Sequence, residues 1–401
     1  MNLKIFTNNI EQEALEQINT LTEQEIFTNE KIRIMPDVHA GKGCTIGFTS
    51  TYTDKIIPNI VGVDLFCGML VYNLGKVDID LDIFNEIVTK NFELELGEAH
   101  KTSYFNLGLT NLKMYNFIKN EDYLLRSLGT VGGGNHFIEL DKDEEGNIYI
   151  IVHSGSRNLG LQVANYYQKL AISHVHKKIN KFDELKEDII KKYKEQGEQR
   201  KIQSALEQLK ATYKDTNVPD ELAYLEGEDL ENYLHDIEIC QHYANVNRNV
   251  IVSIILDQYY LKTHKYLFPI DWFTTLHNYV DLKNKIIRKG AIAAYKGEKV
   301  IIPLNMRDGC IIGVGKGNED WNCSAPHGAG RAMSRIQAKE SISYDEYVNS
   351  MKGIYSSTVL PQTIDEAPMA YKPSEEIINL IQDTVEIKNI IKPIYNFKNK
   401  E

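Results

Sequence analysis

Several short glycine-bounded blocks of the sequence carry side chains that could bind a metal or react with phosphate. In block 62–69, Asp64 lies three residues before Cys67. A loop bounded by glycines can turn this carboxylate and thiol toward one point, and a thiolate has enough lone pairs to bridge two cations. Taken alone, the block fits a buried cysteine beside a capping aspartate better than it fits a metal site.

Three further blocks each contribute one histidine. In block 132–139, three glycines precede Asn135, His136 and Glu139, side chains that a strand could direct into one pocket. Block 153–157 follows an apolar run, and its hydroxyls, glycine and Arg157 guanidinium suit a phosphate. Block 277–279 is His-Asn-Tyr. Read singly, each of these histidines is more often structural than a ligand.

Block 323–331 surrounds His327 with small residues, and Arg331 follows four positions later. This composition leaves room for a bulky anionic group at the imidazole. A histidine in such a pocket could be a metal ligand, a general base or a nucleophile, and the spacing does not choose among them.

The distribution of histidines along the chain favours one shared site. The four block histidines lie in glycine-flanked loops, as do the aspartate at 64 and the cysteine at 67, whereas His174, His176, His235 and His242 lie in helical sequence. Scattered core histidines would not divide by local texture in this way. We therefore predict that the block side chains converge.

Two kinds of local sequence composition indicate the elements that position these side chains. Segments 31–74, 128–160 and 299–335 are rich in glycine, and their short apolar runs are predicted to be strands that end in polar loops. Segment 161–266 is charged, with helical periodicity. We predict an α/β fold (mixed α+β) in a single domain, 1–401, whose central β-sheet body bears the active site and whose helical insertion spans 161–266.

Composition limits the class of protein. The chain has 401 residues, 42% of them hydrophobic, and can bury a large core. Five widely spaced cysteines argue against a disulfide framework. No apolar run approaches the roughly 18 residues that span a bilayer, and we expect a cytoplasmic protein. The net charge of −11 argues against a surface that is basic throughout, but it is compatible with a local basic cleft.

The blocks together resemble the RtcB family of RNA-splicing ligases and follow the family's order. The resemblance runs from about residue 30 to the end of the sequence. The blocks that carry it are 36–41 (PDVHAG), 62–68 (GVDLFCG), 132–139 (GGGNHFIE), 153–157 (HSGSR), 327–331 (HGAGR) and 365–372 (DEAPMAYK).

The resemblance implies a GTP- and Mn²⁺-dependent ligase, acting in tRNA splicing or RNA repair. It would join an RNA 3′-phosphate or 2′,3′-cyclic phosphate end to a 5′-hydroxyl end through a GMP-histidine at His327. Two manganese ions would be held by Asp64, Cys67, His136, His153 and His277, with Cys67 bridging. Arg157 and Arg331 are candidates for holding RNA phosphates. The implied GTP-binding residues are Asn135, His136, Phe137, Ile138, Glu139, His277, Asn278, Pro303, Leu304, Asn305, Met306, Cys310, His327, Gly328, Ala329, Gly330, Tyr371 and Lys398.

The sequence departs from the family before the His327 block. The family commonly shows Pro-Gly-Ser-Met-Gly with a serine shortly after, whereas residues 303–310 read PLNMRDGC. Asn305 can donate and accept hydrogen bonds, but Cys310 is a weaker partner than serine, so nucleotide affinity is the property that this departure would alter. Lys398 matches the lysine near the family's C-terminus, and Lys400 is the alternative.

Two other functions stay open at this stage. One is a metal-dependent phosphoesterase or cyclic phosphodiesterase in which His327 acts as acid or base, and the other is a non-catalytic RNA-binding module. We expect a monomer, with a protein activator possible. The identity of the RNA substrate and the role of the helical insertion do not follow from the sequence.

Overall fold

The computed structural model describes residues 2–93, 99–103, 105, 107–212 and 218–399. These residues form a mixed α/β fold, as predicted. The strands are β1 (Asn2–Ile5), β2 (Lys31–His39), β3 (Ile46–Thr51), β4 (Lys55–Ile56), β5 (Gly68–Asn73), β6 (Phe137–Lys142), β7 (Ile148–Ser154), β8 (Leu225–Glu226), β9 (Asp271–Leu276), β10 (Asn278–Asp281), β11 (Ile286–Lys289), β12 (Ala291–Ala293), β13 (Lys299–Asn305), β14 (Gly309–Gly315), β15 (Ser324–Pro326) and β16 (Val385–Phe397). The helices are α1 (Gln12–Thr22), α2 (Leu81–Phe92), α3 (Glu121–Arg126), α4 (Arg157–Glu195), α5 (Ile202–Thr212), α6 (Gly227–Thr263), α7 (Arg335–Ser341), α8 (Tyr344–Ser350) and α9 (Ser374–Leu380).

The larger sheet has seven antiparallel strands in the order β13-β14-β16-β6-β7-β5-β9. Its outer strands β13 and β9 contact each other, so the sheet nearly closes on itself. Side chains alternate across each strand. Val71, Ile151, Ile301 and Ile391 point into the enclosed side, which we call the sheet interior. The opposite face of the sheet packs against α2 and α6.

A five-stranded sheet, β1-β2-β3-β11-β10, lies beside the larger one. Within it, β1 and β2 are parallel and the other pairs are antiparallel. One residue, His277, connects β9 of the larger sheet to β10 of the smaller sheet. This connection places that side chain between the two sheets.

The predicted insertion consists mainly of α4, α5 and α6. The helices begin earlier than predicted, because α4 starts at Arg157, inside block 153–157. The helix α6 packs along the whole body: Tyr233 and Ile237 lie in the core beneath the smaller sheet, and Ile255 and Tyr259 lie in the core of the larger one. The division into one domain with an insertion stays a prediction.

The strands predicted from apolar runs are present. The apolar runs 148–152 and 300–302 lie in β7 and β13. All five cysteines are free. Among the described residues, no helix combines the length and apolar character needed to cross a membrane.

Candidate metal and nucleotide site

Strand register brings the predicted metal ligands to one end of the larger sheet. Gly68 of β5 pairs with Leu276 of β9, so the next residues outward, Cys67 and His277, are neighbours. The backbone N–H of His277 donates to the carbonyl of Cys67 at 3.0 Å. His153 near the end of β7 pairs with the first residue of β6, which places His136 beside it.

The candidate ligand atoms of these residues lie within contact of one another. The Sγ atom of Cys67 is 3.1 Å from Nε2 of His136 and 3.1 Å from Nε2 of His153. Nε2 of His136 is 2.9 Å from Oδ2 of Asp64, and Nε2 of His153 is 3.3 Å from Nε2 of His277. The ligand atoms of Cys67, His136 and His153 all lie within 4.8 Å of one another, and Asp64 and His277 each contact one member of this group. Thiol, carboxylate and imidazole together are a donor set that suits transition-metal ions.

Backbone carbonyls orient two of the imidazoles. Nδ1 of His136 lies 2.9 Å from the carbonyl of Val131, and Nδ1 of His153 lies 3.1 Å from the carbonyl of Asn135. An N–H donated to a carbonyl fixes the tautomer and leaves the Nε2 lone pair free to bind a metal. Burial lowers the pKa of His153 and His277 well below the ordinary value, which favours this neutral form.

The acidic ligands respond differently to burial. Burial tends to raise the pKa of Asp64, but the neighbouring His136 and Arg157 outweigh it and hold that pKa at about 2. Burial raises the pKa of the Cys67 thiol well above its ordinary value, and the Asp64 carboxylate raises it further. A divalent cation among these groups would oppose that rise, because it stabilises the thiolate.

Two buried residues of α6 hold the metal-ligand loops together. Oδ1 of Asn247 accepts the N–H of Gly129 at 2.7 Å, and its Nδ2 donates to the carbonyl of Gly155 at 3.2 Å. Nη1 of Arg248 donates to the carbonyls of Phe66 and Ser154 at 2.9 and 2.8 Å. We call Asn247 and Arg248 the loop clamp. Sequence reasoning missed both, although Asn247 follows the buried Ala244 by three positions, a spacing that places it on the apolar face of the helix.

Glycines make room for two of the predicted functional groups. A Cβ added at Gly155 would lie 2.3 Å from Oδ1 of Asp64. At Gly132, where φ is +87°, an added Cβ would lie 1.9 Å from the guanidinium of Arg157. Nε of that arginine donates to Oγ1 of Thr130 at 3.3 Å. The guanidinium thus lies over the glycine run beside the metal ligands.

His327 adjoins the metal ligands, with its ring centroid 4.8 Å from that of His277. Its Nδ1 is 2.6 Å from Oδ2 of Asp37, and its backbone N–H donates to the same oxygen at 3.0 Å. This arrangement engages Nδ1 and leaves Nε2 for chemistry. The sequence block 36–41 contained Asp37, but no role was assigned to it.

His327 also lines a cavity of about 720 Å³, a volume typical of small-molecule sites. The cavity lies among β6, β13 and the loop before α7. The predicted nucleotide or phosphate residues that line it are Asn135, Phe137, Glu139, Pro303, Leu304, Asn305, Met306, His327, Gly328, Ala329, Gly330, Arg331, Tyr371 and Lys398.

Five other predicted nucleotide residues lie outside this cavity wall. His136 and His277 belong to the metal-ligand cluster described above. Ile138 is buried on the outer face of the sheet, and Cys310 points into the sheet interior. Asn278 supports the loops instead: its Oδ1 accepts the N–H of Gly290 at 2.9 Å, and its Nδ2 donates to the carbonyl of Asp64 at 3.2 Å.

A buried carboxylate contacts several side chains of the cavity wall. Glu366 lies 2.5 Å from Nζ of Lys398, 2.5 Å from the hydroxyl of Tyr371 and 3.4 Å from Nη1 of Arg331. Burial tends to raise its pKa, but Lys398 and Arg335 hold the pKa at about 2. Glu366 lies in block 365–372, and the sequence pattern alone assigns it no role. Lys400, the alternative to Lys398, lies outside the described residues.

Comparison with known proteins identifies relatives along most of the chain. A family model described as RtcB, tRNA-splicing ligase RtcB, matches residues 17–95 and 113–399. RNA-splicing ligase RtcB of Escherichia coli (strain K12) is 30% identical over 94% of this chain and 92% of its own length. The tRNA-splicing ligase RtcB of Nanoarchaeum equitans is 25% identical over 87% of this chain and 84% of its own length. RNA-splicing ligase RtcB homolog 1 of Entamoeba histolytica is 25% identical over 87% of this chain and 76% of its own length.

Proposed function

Since the chain belongs to the tRNA-splicing ligase RtcB family, whose members are RNA ligases, we propose that it joins RNA 3′-phosphate or 2′,3′-cyclic phosphate ends to 5′-hydroxyl ends at the expense of GTP. The observation that carries this proposal is the position of His327. Its side chain lies between a five-residue metal-ligand cluster and a cavity large enough for a nucleotide.

Asp64, Cys67, His136, His153 and His277 would hold two manganese ions. The donor set supports this because the free Nε2 atoms and Sγ already face one another. Thiolate and imidazole ligands by themselves favour zinc, so manganese rests on the family assignment. When bound, the ions would neutralise phosphate charge and align the reacting groups.

Nε2 of His327 would attack the α-phosphorus of GTP, forming an N–P bond while the bond to the β-phosphate oxygen breaks and pyrophosphate leaves. Asp37 would keep the ring oriented through its contact with Nδ1. The GMP would then pass from the histidine to an RNA 3′-phosphate oxygen. A 5′-hydroxyl would displace GMP and form the new phosphodiester bond, and a cyclic end would first be opened by water.

Transfer of label from GTP tests the proposal. Protein incubated with α-³²P-labelled GTP and manganese is expected to gain covalent label, and His327→Ala is expected to gain none. The same preparation should join a 3′-phosphate strand to a 5′-hydroxyl strand, with each nucleoside triphosphate tried in turn. A phosphoesterase would open cyclic phosphates without acquiring label, and that result would replace the ligase proposal.

A further inference from the structure

A second group of potential metal ligands lies in the sheet interior, away from the cluster around Cys67. The group consists of Glu139 and Asp141 on β6 and Cys310 on β14. One ligand atom from each lies within 4.8 Å of the other two. Residues at i and i+2 of a strand share a face, so both carboxylates point to the same side of the sheet as the thiol.

These groups are deeply buried, with exposed fractions of 2% for Glu139, 0% for Asp141 and 0% for Cys310. Their surroundings are the apolar side chains of the sheet interior, among them Ile301 and Ile391. Two carboxylates in such a place are costly, since burial removes water from charged oxygens and like charges repel.

Hydrogen bonds satisfy the Glu139 carboxylate, whereas within the described part of the chain the Asp141 carboxylate has only the nearby Cys310 thiol and the charge of Lys392. Oε1 of Glu139 accepts a hydrogen bond of 2.7 Å from Nδ2 of Asn396 on β16. Both carboxylate oxygens of Asp141 are buried without a hydrogen-bond partner among the described groups. Buried polar atoms without partners are rare in folded proteins, and here both lie beside a second carboxylate and a thiol.

We propose that Glu139, Asp141 and Cys310 bind one divalent cation, with zinc as the preferred ion. Two carboxylate oxygens and one thiolate match the mixed ligands that zinc accepts, at roughly 2.1 Å for oxygen and 2.3 Å for sulfur. Ligand atoms of a tetrahedral zinc site are separated by about 3.6 Å, so side chains within 4.8 Å of each other need to close in by only about an ångström. On binding, the thiol and the protonated carboxyl of the pair release their protons to solvent.

The Cys310 thiolate is the ligand that favours zinc over harder cations at this site. It occupies the run, 303–310, in which the resembled family commonly shows a serine, and a hydroxyl is a poor zinc ligand compared with a thiolate. A cation here would join β6 to β14 across the intervening β16 and fix the Glu139 side chain at the cavity wall. This role does not depend on the proposed ligase reaction.

Zinc binding to the full chain tests the proposal when the other site has been removed. In a Cys67→Ser, His153→Ala background, equilibrium dialysis of metal-free protein against zinc is expected to give one bound equivalent. Adding Asp141→Asn or Cys310→Ser should weaken that binding by more than the roughly 10- to 100-fold that follows loss of an outer-shell partner, since each removes a direct ligand. Asp257→Asn on the exposed side of α6 is the matched control and should leave binding unchanged.

Cobalt gives a second readout that identifies the sulfur ligand. In the same background, cobalt-loaded protein should show the near-ultraviolet absorption band of a cobalt–thiolate bond. Adding Cys310→Ser should abolish this band. The Cys310→Ser variant also tests the proposal if Asp141→Asn does not fold. Retention of the band, or a background protein that binds no zinc, would overturn the proposal. Labelling by GTP is measured separately, so failure here is distinguishable from failure of the proposed function.

Discussion

The Nδ1 atom of His327 lies 2.6 Å from Oδ2 of Asp37, although the two residues are 290 positions apart in the chain. Asp37 is fully buried and also receives the backbone N–H of His327, so one carboxylate oxygen holds both the ring and its backbone. The imidazole can therefore present Nε2 to a phosphate without searching other rotamers.

Replacing Asp37 by asparagine is expected to slow guanylation of His327 by roughly 10²- to 10⁴-fold, the range seen when a histidine loses the acid that orients it. The asparagine amide can donate to Nδ1, which moves the ring proton to Nε2 and blocks its lone pair. The rate of label transfer from GTP measures the effect. Circular dichroism controls for folding, and an unchanged rate in folded protein would refute the positioning role.

Weakening the loop clamp is expected to lower metal affinity about 10- to 100-fold, because Asn247 and Arg248 tie together three loops that carry ligands. Asn247→Ala is the direct test, read by manganese titration of metal-free protein. Asn249→Ala, an exposed change two residues along α6, is the matched control. Equal affinities in the two variants would show that the clamp serves only stability.

Because it is buried beside Lys398, Glu366 should make the free energy of unfolding depend on pH. Its pKa of about 2 lies below the ordinary value of 4.5, so its stabilising contribution is complete above about pH 4.5 and is lost as the pH falls through 2. Glu366→Gln should therefore reduce the free energy of unfolding by on the order of 3 kcal/mol at neutral pH, and by progressively less between about pH 4.5 and 2. Urea titrations at several pH values measure it, with Glu340→Gln, exposed on α7, as the control. A difference that does not shrink in acid would contradict this account.

Gly132→Ala is expected to weaken RNA binding without abolishing GTP labelling, because the added methyl would displace the Arg157 guanidinium. Gly197→Ala is a close control, since its φ is also positive (+69°) but its added Cβ meets nothing within 4 Å. Both variants carry the backbone strain of about 1 kcal/mol, and only the first should change fluorescence anisotropy with labelled RNA. Equal RNA affinities of the two variants would show that Arg157 does not contribute to RNA binding.

Zinc is expected to bind the cluster around Cys67 but to support ligation poorly. Imidazole and thiolate favour zinc in affinity, whereas zinc's preference for four ligands leaves less room for phosphate oxygens. Ligation yields with each metal measure this. His153→Ala should lose manganese-dependent thermal stabilisation, and His174→Ala, on α4 beside Glu226, should keep it. Efficient sealing by the zinc-loaded protein would contradict the prediction.

Four of the five side chains in the cluster can be grouped from sequence because each lies where an apolar run meets a glycine-rich loop, whereas His277 has no glycine near it. His153 ends the run 148–152, and Cys67 directly precedes β5. In an antiparallel sheet the start of one strand lies beside the end of its neighbour, so these residues fall at one edge of the sheet. The same reasoning identified the strands and the helical region.

The residues that the sequence does not predict are positioned by contacts between segments that lie far apart in the chain. Asp37 reaches His327 only because the smaller sheet folds against the loop before α7, and no local pattern encodes that contact. Arg248 is buried, but its helix carries many other charged residues, so the sequence pattern does not distinguish it from an exposed arginine. Cys310 was grouped with the nucleotide residues by its place in the run 303–310. Strand alternation in β14 turns it into the sheet interior instead.

The central position of β16 has a consequence for the order of events during synthesis. Its residues Val385–Phe397 pair with β14 on one side and β6 on the other, although β6 leaves the ribosome more than 240 residues earlier. Until β16 emerges, a nascent chain carries two open strand edges of the kind that invite aggregation. The β13–β14 hairpin and Lys398 can join the cavity wall only after that, so this wall of the site forms late in translation.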